Sequence, residues 1–195
     1  MTRRIPALLA AVLAVVLAQP ALAADKIALV VKSLGNGFFD AAHQGALDAA
    51  RELKDVEIIY TGPAKATAEG QIEIINTLIA QNGFGRDLGI LSLDIDGNDY
   101  WVWDAVTVVK PWIVVSEYNA TFGDLRPLTV PYNATFNIHK AHYSGAYFGT
   151  SIGALEMAAA KHGYTLVGSN RAGLNAFFVR NDVAHRITVD DRRAL

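Results

Sequence analysis

Gly89-Ile-Leu-Ser-Leu-Asp-Ile-Asp-Gly-Asn-Asp-Tyr-Trp101 reads in three parts. Gly89 to Leu93 is a short apolar run of strand character. Asp94, Asp96, Gly97 and Asn98 are turn formers, and Asp99 to Val108 follows with helical patterning. A strand that passes through an acidic turn into a helix is the repeating unit of an α/β fold. Upstream, Ile27 to Val31 reads as a strand broken by Gly35 and Gly37. Ala42, Ala46, Ala49, Ala50 and Leu53 then recur at helical spacing. Val56 to Tyr60 is a second strand, stopped by Thr61-Gly62-Pro63. A second helix spans about Thr67 to Gln81, with Ile72, Ile75, Leu78 and Ile79 on its apolar face and Gly83 as its cap.

Downstream the alternation continues. Trp112 to Ser116 is a further apolar run, and Tyr118 to Asn137 is rich in turn residues. Tyr147 to His162 is an alanine-rich helix ended by Gly163. Tyr164 to Gly168 and Ala176 to Arg180 are strands joined by Ser169 to Gly173 as an antiparallel hairpin. The expected fold is α/β: a doubly wound three-layer sandwich with a mostly parallel sheet and a C-terminal antiparallel β-hairpin. One continuous sheet is expected to run through both halves of the chain.

Residues 1–23 carry the marks of a secretory signal. Arg3 and Arg4 are followed by the apolar run Ala7 to Leu17 and by small residues at Ala21 and Ala23. That run is shorter than the roughly 20 residues a membrane span needs. The reading is a cleaved signal, a periplasmic location and no membrane attachment after cleavage. The chain has no cysteine, which excludes disulfides and thiolate chemistry. A net charge of −2 leaves no electrostatic footprint for nucleic acid.

Two groups of residues carry candidate chemistry. Lys32-Ser-Leu-Gly-Asn-Gly-Phe-Phe-Asp40 follows the first strand, at the carboxyl end where open α/β sheets bind ligands. Phe38 and Phe39 offer apolar faces on which a sugar ring can stack, and Lys32 and Asn36 offer partners for its hydroxyls. The same aromatics would equally cap a core. Asp94, Asp96 and Asp99 end the next strand unit, and Glu117 ends the one after. They are alternative crevice acids, or caps for turns and helix starts. The EF-hand pattern fails, because glycine falls at the fourth loop position and Ala105 stands at the twelfth. A hard-cation site assembled from other segments stays open, but no metal ligand set is assigned. His139 and His142 suit either a metal pair or an ordinary surface. No catalytic residue and no nucleophilic serine are assigned.

Lys26 to Asp40, Tyr60-Thr-Gly-Pro63 and Thr67 to Asn76 together resemble type I periplasmic sugar-binding proteins. The nearest subgroup is that of the rhamnose and autoinducer-2 binding proteins of ABC importers. The resemblance covers residues 1–81 with the signal. It implies ligand contacts at Lys32, Phe38 and Phe39, with Asn36 beside them, and partnership with importer membrane subunits. Gly89 to Trp101, Pro111 to Asn119, Lys161 to Gly168 and Asn175 to Arg180 resemble FkbM-type S-adenosylmethionine-dependent methyltransferases over residues 83–182. This half departs from that family: no acid-x-Gly-x-Gly turn precedes it, and the second strand ends without a carboxylate.

The chain thus divides as signal (1–23), partial binding-protein lobe (24–82), methyltransferase-like half (83–182) and frayed tail (183–195). The leading expectation is an exported sugar-binding protein, truncated or recombined, with no cofactor. The alternatives are a methyltransferase-like domain with S-adenosylmethionine as cofactor, or a hybrid without selected activity.

Overall fold

The computed structural model describes residues 25–186 except Ala66, so the signal reading lies outside the described residues. The first half runs β1 (Asp25–Val30), α1 (Gly37–Leu53), β2 (Val56–Thr61) and α2 (Ala68–Asn82). Next come β3 (Ile90–Leu93), α3 (Asp99–Ala105) and β4 (Ile113–Glu117). After α4 (Ile138–Ala141), the chain ends its regular structure with α5 (Ile152–His162), β5 (Tyr164–Ser169) and β6 (Asn175–Arg180). The protein is α/β: β1 and β2 are parallel, as are β3 and β4, and β5 and β6 form the expected antiparallel hairpin.

The sheet is not continuous. β1 and β2 form one two-stranded sheet, while β3, β4, β6 and β5 form a second in that order. No ladder joins β1 to β3 among the described residues. A helix face makes the junction instead: Ile75 and Ile79 of α2 pack against the main core. Polar contacts add to it, from Tyr132 to Glu69 and from Lys32 to Asp96, while Lys26 Nζ ties β1 to the Asn82 carbonyl of α2 at 2.9 Å. Insertion of β6 beside β4 makes the larger sheet mixed, with one parallel and two antiparallel pairings.

The core belongs almost wholly to the second half. Val102 and Trp103 of α3, Val114 of β4, Leu155 of α5 and Phe178 of β6 are buried together. The Trp103 and Phe178 rings lie 4.8 Å apart. In contrast, α1 has no buried residue, and Leu53 at its end is 63% exposed. Among the described residues before 90, only Val31 and Leu78 are buried hydrophobics.

Two boundaries differ from the sequence reading. The last helix begins at Ile152, five residues after Tyr147, because Ser151 is extended and caps Ala154 N through its side chain. The tail is held as far as residue 186. Val183 is buried, Ala184–Arg186 forms a 3₁₀ turn, and the Arg186 guanidinium lies 5.4 Å from the Trp112 ring centre.

This asymmetry generates an expectation for stability. Phe178→Ala should cost about 3–5 kcal/mol in denaturant unfolding, whereas exposed Leu53→Ala should stay within about 0.5 kcal/mol. Hydrogen exchange should find α1 amides opening far more easily than those of β4 and β6. Equal protection of α1 and β4 would contradict the division.

Candidate functional site

The carboxyl ends of β1, β3 and β4 bring the candidate polar groups together. Lys32 follows β1, Asp94 and Asp96 follow β3, and Glu117 closes β4. Lys32 Nζ donates to Asp96 Oδ2 at 2.5 Å, with both side chains partly exposed. One carboxylate oxygen from each of Asp94, Asp96 and Glu117 lies within 4.8 Å of the others. Among the described residues this is where such groups converge in threes, and neither His139 nor His142 joins it. His142 instead bonds Ser144 Oγ through Nδ1 at 2.7 Å.

Asp99 stands apart from the other acids. It is fully buried and accepts hydrogen bonds from Ile95 N and Gly97 N, both at 3.0 Å. It therefore closes the Asp94–Asn98 turn from below rather than lining an open crevice. The turn uses unusual backbone: Asp96 has φ 55° and Gly97 φ 147°. A side chain at Gly97 would meet the Phe136 ring at 2.5 Å, so only glycine fits beneath that aromatic cover.

Crowding of like charge sets the electrostatics. Burial, then repulsion from Asp99, Asp94 and Asp96, pushes the Glu117 carboxyl up to about 9. Its Oε2 is shut off from solvent and has no hydrogen-bond partner. Burial raises Asp99 to about 6 against the pull of its backbone donors. Asp94, whose side chain still reaches water, is raised by partial desolvation and by Asp96, with Lys32 opposing. At neutral pH Glu117 therefore keeps its proton and offers a hydrogen-bond donor among the carboxyl oxygens of Asp94 and Asp96.

The other sequence candidates do not reach the acids. Asn36 caps α1 by accepting from Phe38 N at 3.0 Å. Phe38 is 74% exposed, and its ring meets the edge of Phe39 at 5.4 Å. No hydrogen bond or ring contact ties Asn36, Phe38 or Phe39 to the acid group among the described residues.

The sequence reading misses the groups that close the crevice around Lys32. A cavity of about 20 Å³, room for one water, is lined by Lys32, Thr67, Gln71, Asn98 and Phe136. Gln71 is buried and donates to the Val31 carbonyl at 2.8 Å. Asn98 Nδ2 donates to the Asn133 carbonyl at 2.8 Å. No local motif marks these residues; their pairing spans long separations along the chain. The sequence reading also takes the Gly-x-Ser-x-Gly pattern to be absent, whereas Gly149-Thr-Ser-Ile-Gly153 matches it. Ser151 is fully buried, and its Oγ donates to the Arg126 carbonyl at 2.8 Å and accepts from Leu128 N and Ala154 N. Its bonds are those of a structural cap at the start of α5.

Residues 27–93 match the family model of the periplasmic binding protein domain. The match runs from Ile27, inside β1, to the end of β3 at Leu93, one residue before the acids begin. It therefore extends past residue 81, where the sequence resemblance to sugar-binding proteins was drawn to a close. A domain of that family is a small-molecule-binding unit, and Lys32 lies within the matched stretch. No solved structure matches the chain.

The raised carboxyls have a consequence for stability. Between the ordinary glutamate value of 4.5 and about 9, folded Glu117 keeps a proton that the unfolded chain has released. The folded state then binds more protons, so its stability falls as pH rises through that window. Glu117→Gln should raise the melting temperature at pH 8 and flatten the slope between pH 5 and 9. Asp99→Asn should do the reverse of stabilising: it removes one of two acceptors for Ile95 N and Gly97 N. A destabilisation of about 1–3 kcal/mol is expected from the orphaned amide.

Proposed function

We propose that this protein is an exported solute-binding protein whose ligand is a small polyol of the sugar class, held at the carboxyl ends of β1, β3 and β4. The observation that carries the reading is the buried, unpartnered Oε2 of Glu117, set among Asp94, Asp96 and Lys32. Vicinal hydroxyls donate and accept at close spacing, so they suit a group that mixes two acceptors with two donors. The family match over residues 27–93 supports binding of a small molecule by the β1–β3 portion. The signal-like residues 1–23 support export to the periplasm, where delivery to the membrane subunits of an ABC importer is the corresponding role.

In this reading Lys32 and Glu117 are the central contacts, with Asp94 and Asp96 orienting hydroxyls. Phe38, exposed, and Phe39, half-buried, would serve as outlying stacking surfaces for a ligand face. Asn36 supports them by fixing the first turn of α1.

A second reading draws on the placement of Asp94, Asp96 and Glu117 after two adjacent parallel strands. It is S-adenosylmethionine binding by a methyltransferase-like second half. The two readings part in a thermal melt of the protein with rhamnose, a pentose or S-adenosylmethionine. A ligand that binds only the folded state at a hundredfold excess over Kd adds about 2.7 kcal/mol. The expected result is an upward shift with a sugar, weakened about tenfold or more in affinity by Lys32→Met or Glu117→Gln. A shift with S-adenosylmethionine alone would favour the second reading. A cooperative melt that none of these ligands moves would overturn both.

A further inference from the structure

A second candidate site lies at the other end of the larger sheet. A cavity of about 200 Å³ opens where α3, the segment before β4, and the α5–β5 turn meet. Its floor is Trp103 with Val106 and Val109, all buried, and its rim includes Lys110, Lys161 and His162. Tyr164 also lines it but is occupied, donating to the Pro111 carbonyl at 2.6 Å. That bond fixes the wall from which Lys110 projects.

The charge of the rim is lopsided. Asp104 holds Lys161 Nζ at 2.6 Å and His162 Nε2 at 3.2 Å, so one carboxylate is shared between an ammonium and an imidazole. Lys110 adds a further cation at the mouth. Aromatic groups line it: the His162 ring lies near-parallel to Trp103 at 6.4 Å, and Trp103 is backed by the buried Phe178. An apolar cavity of about 150 Å³ holds benzene, and drug-sized ligands need roughly 300 Å³ or more. The space therefore suits one ring with one small substituent, and the rim calls for that substituent to be anionic.

We propose that this cavity binds a small aromatic carboxylate, its ring over the Trp103–Val109 floor and its carboxylate between Lys110 and Lys161. The site is separate from the Lys32–Glu117 group and does not depend on what that group binds.

The test is a titration of the ¹⁵N-labelled protein with benzoate, followed in its amide and indole spectra. Benzylamine serves as the cation of like shape and inorganic phosphate as the anion without a ring. Benzoate should shift the Trp103 indole signal saturably and leave Trp101 still, because the Trp101 Nε1 bonds the Val130 carbonyl in a different loop. Benzylamine and phosphate should not reproduce the shift. Lys110→Met and Lys161→Met, singly and together, alter exposed side chains and should keep the parent melting temperature. Their combination should weaken benzoate about tenfold or more, from loss of charge-assisted hydrogen bonds. Absence of a saturable Trp103 shift, an equal response to phosphate or benzylamine, or unchanged benzoate affinity in either folded single variant and in the pair would overturn the proposal.

Discussion

The buried Asp99 carboxylate is the constraint on which the site depends. Its two oxygens take the amides of Ile95 and Gly97, which would otherwise be left without partners beneath the turn. Two backbone donors hold the turn closed while Asp96 adopts a left-handed conformation. That conformation is what presents the Asp96 side chain to Lys32, across the gap between the two sheets. Such burial of a carboxylate is costly, and the elevated value of Asp99 near 6 records the cost. After Glu117's own burial, the same buried charge is the next cause of its raised value, so one structural residue shapes the turn and adds to the protonation of its neighbour.

The junction between the halves follows from how little the first half buries. A helix with no buried residue and a two-stranded sheet supply few apolar contacts of their own. A two-stranded unit is marginal in isolation, so β1 and β2 rely on α2, whose Ile75 and Ile79 reach the larger core. The Lys32–Asp96 pair is partly exposed and adds little to stability, on the order of 1 kcal/mol or less. Its effect is positional: it fixes which end of β1 faces the Asp94–Asn98 turn. Small-molecule contacts at that point would tie together two elements that no ladder connects.

Much of the fold was legible because strand and helix periods are local properties. β1, β2, β3 and β4 fall where the apolar runs place them, and Gly83 and Gly163 do end α2 and α5 in left-handed conformations. Continuity of the sheet was not legible, since alternation shows that strands exist but not which backbone edges pair. The start of α5 was hidden for a related reason. Ala146 and Tyr147 have good helical neighbours, yet the Ala146 and Phe148 carbonyls are claimed by Asn119 Nδ2 from far along the chain. For the site, the sequence marked the acids and Lys32 but not their roles. Asp99 looks like its neighbours in the string, and only burial separates the turn support from the acids that face the crevice.

The protonation of Glu117 decides what class of ligand the crevice prefers. With all three carboxylates ionised, Lys32 would cancel one charge and leave two, which would select a cation. With the proton retained, as burial and repulsion dictate at neutral pH, the crevice carries one negative charge fewer. The carboxyl then gives a hydroxyl donor beside the Lys32 ammonium, facing two acceptors. A neutral ligand bearing adjacent hydroxyls satisfies both kinds of group without burying new charge. A cation would have to displace that proton first, so its binding would strengthen as pH rises. Sugar binding gains nothing from that rise. The pH dependence of binding therefore distinguishes a polyol site from a cation site built of the same residues.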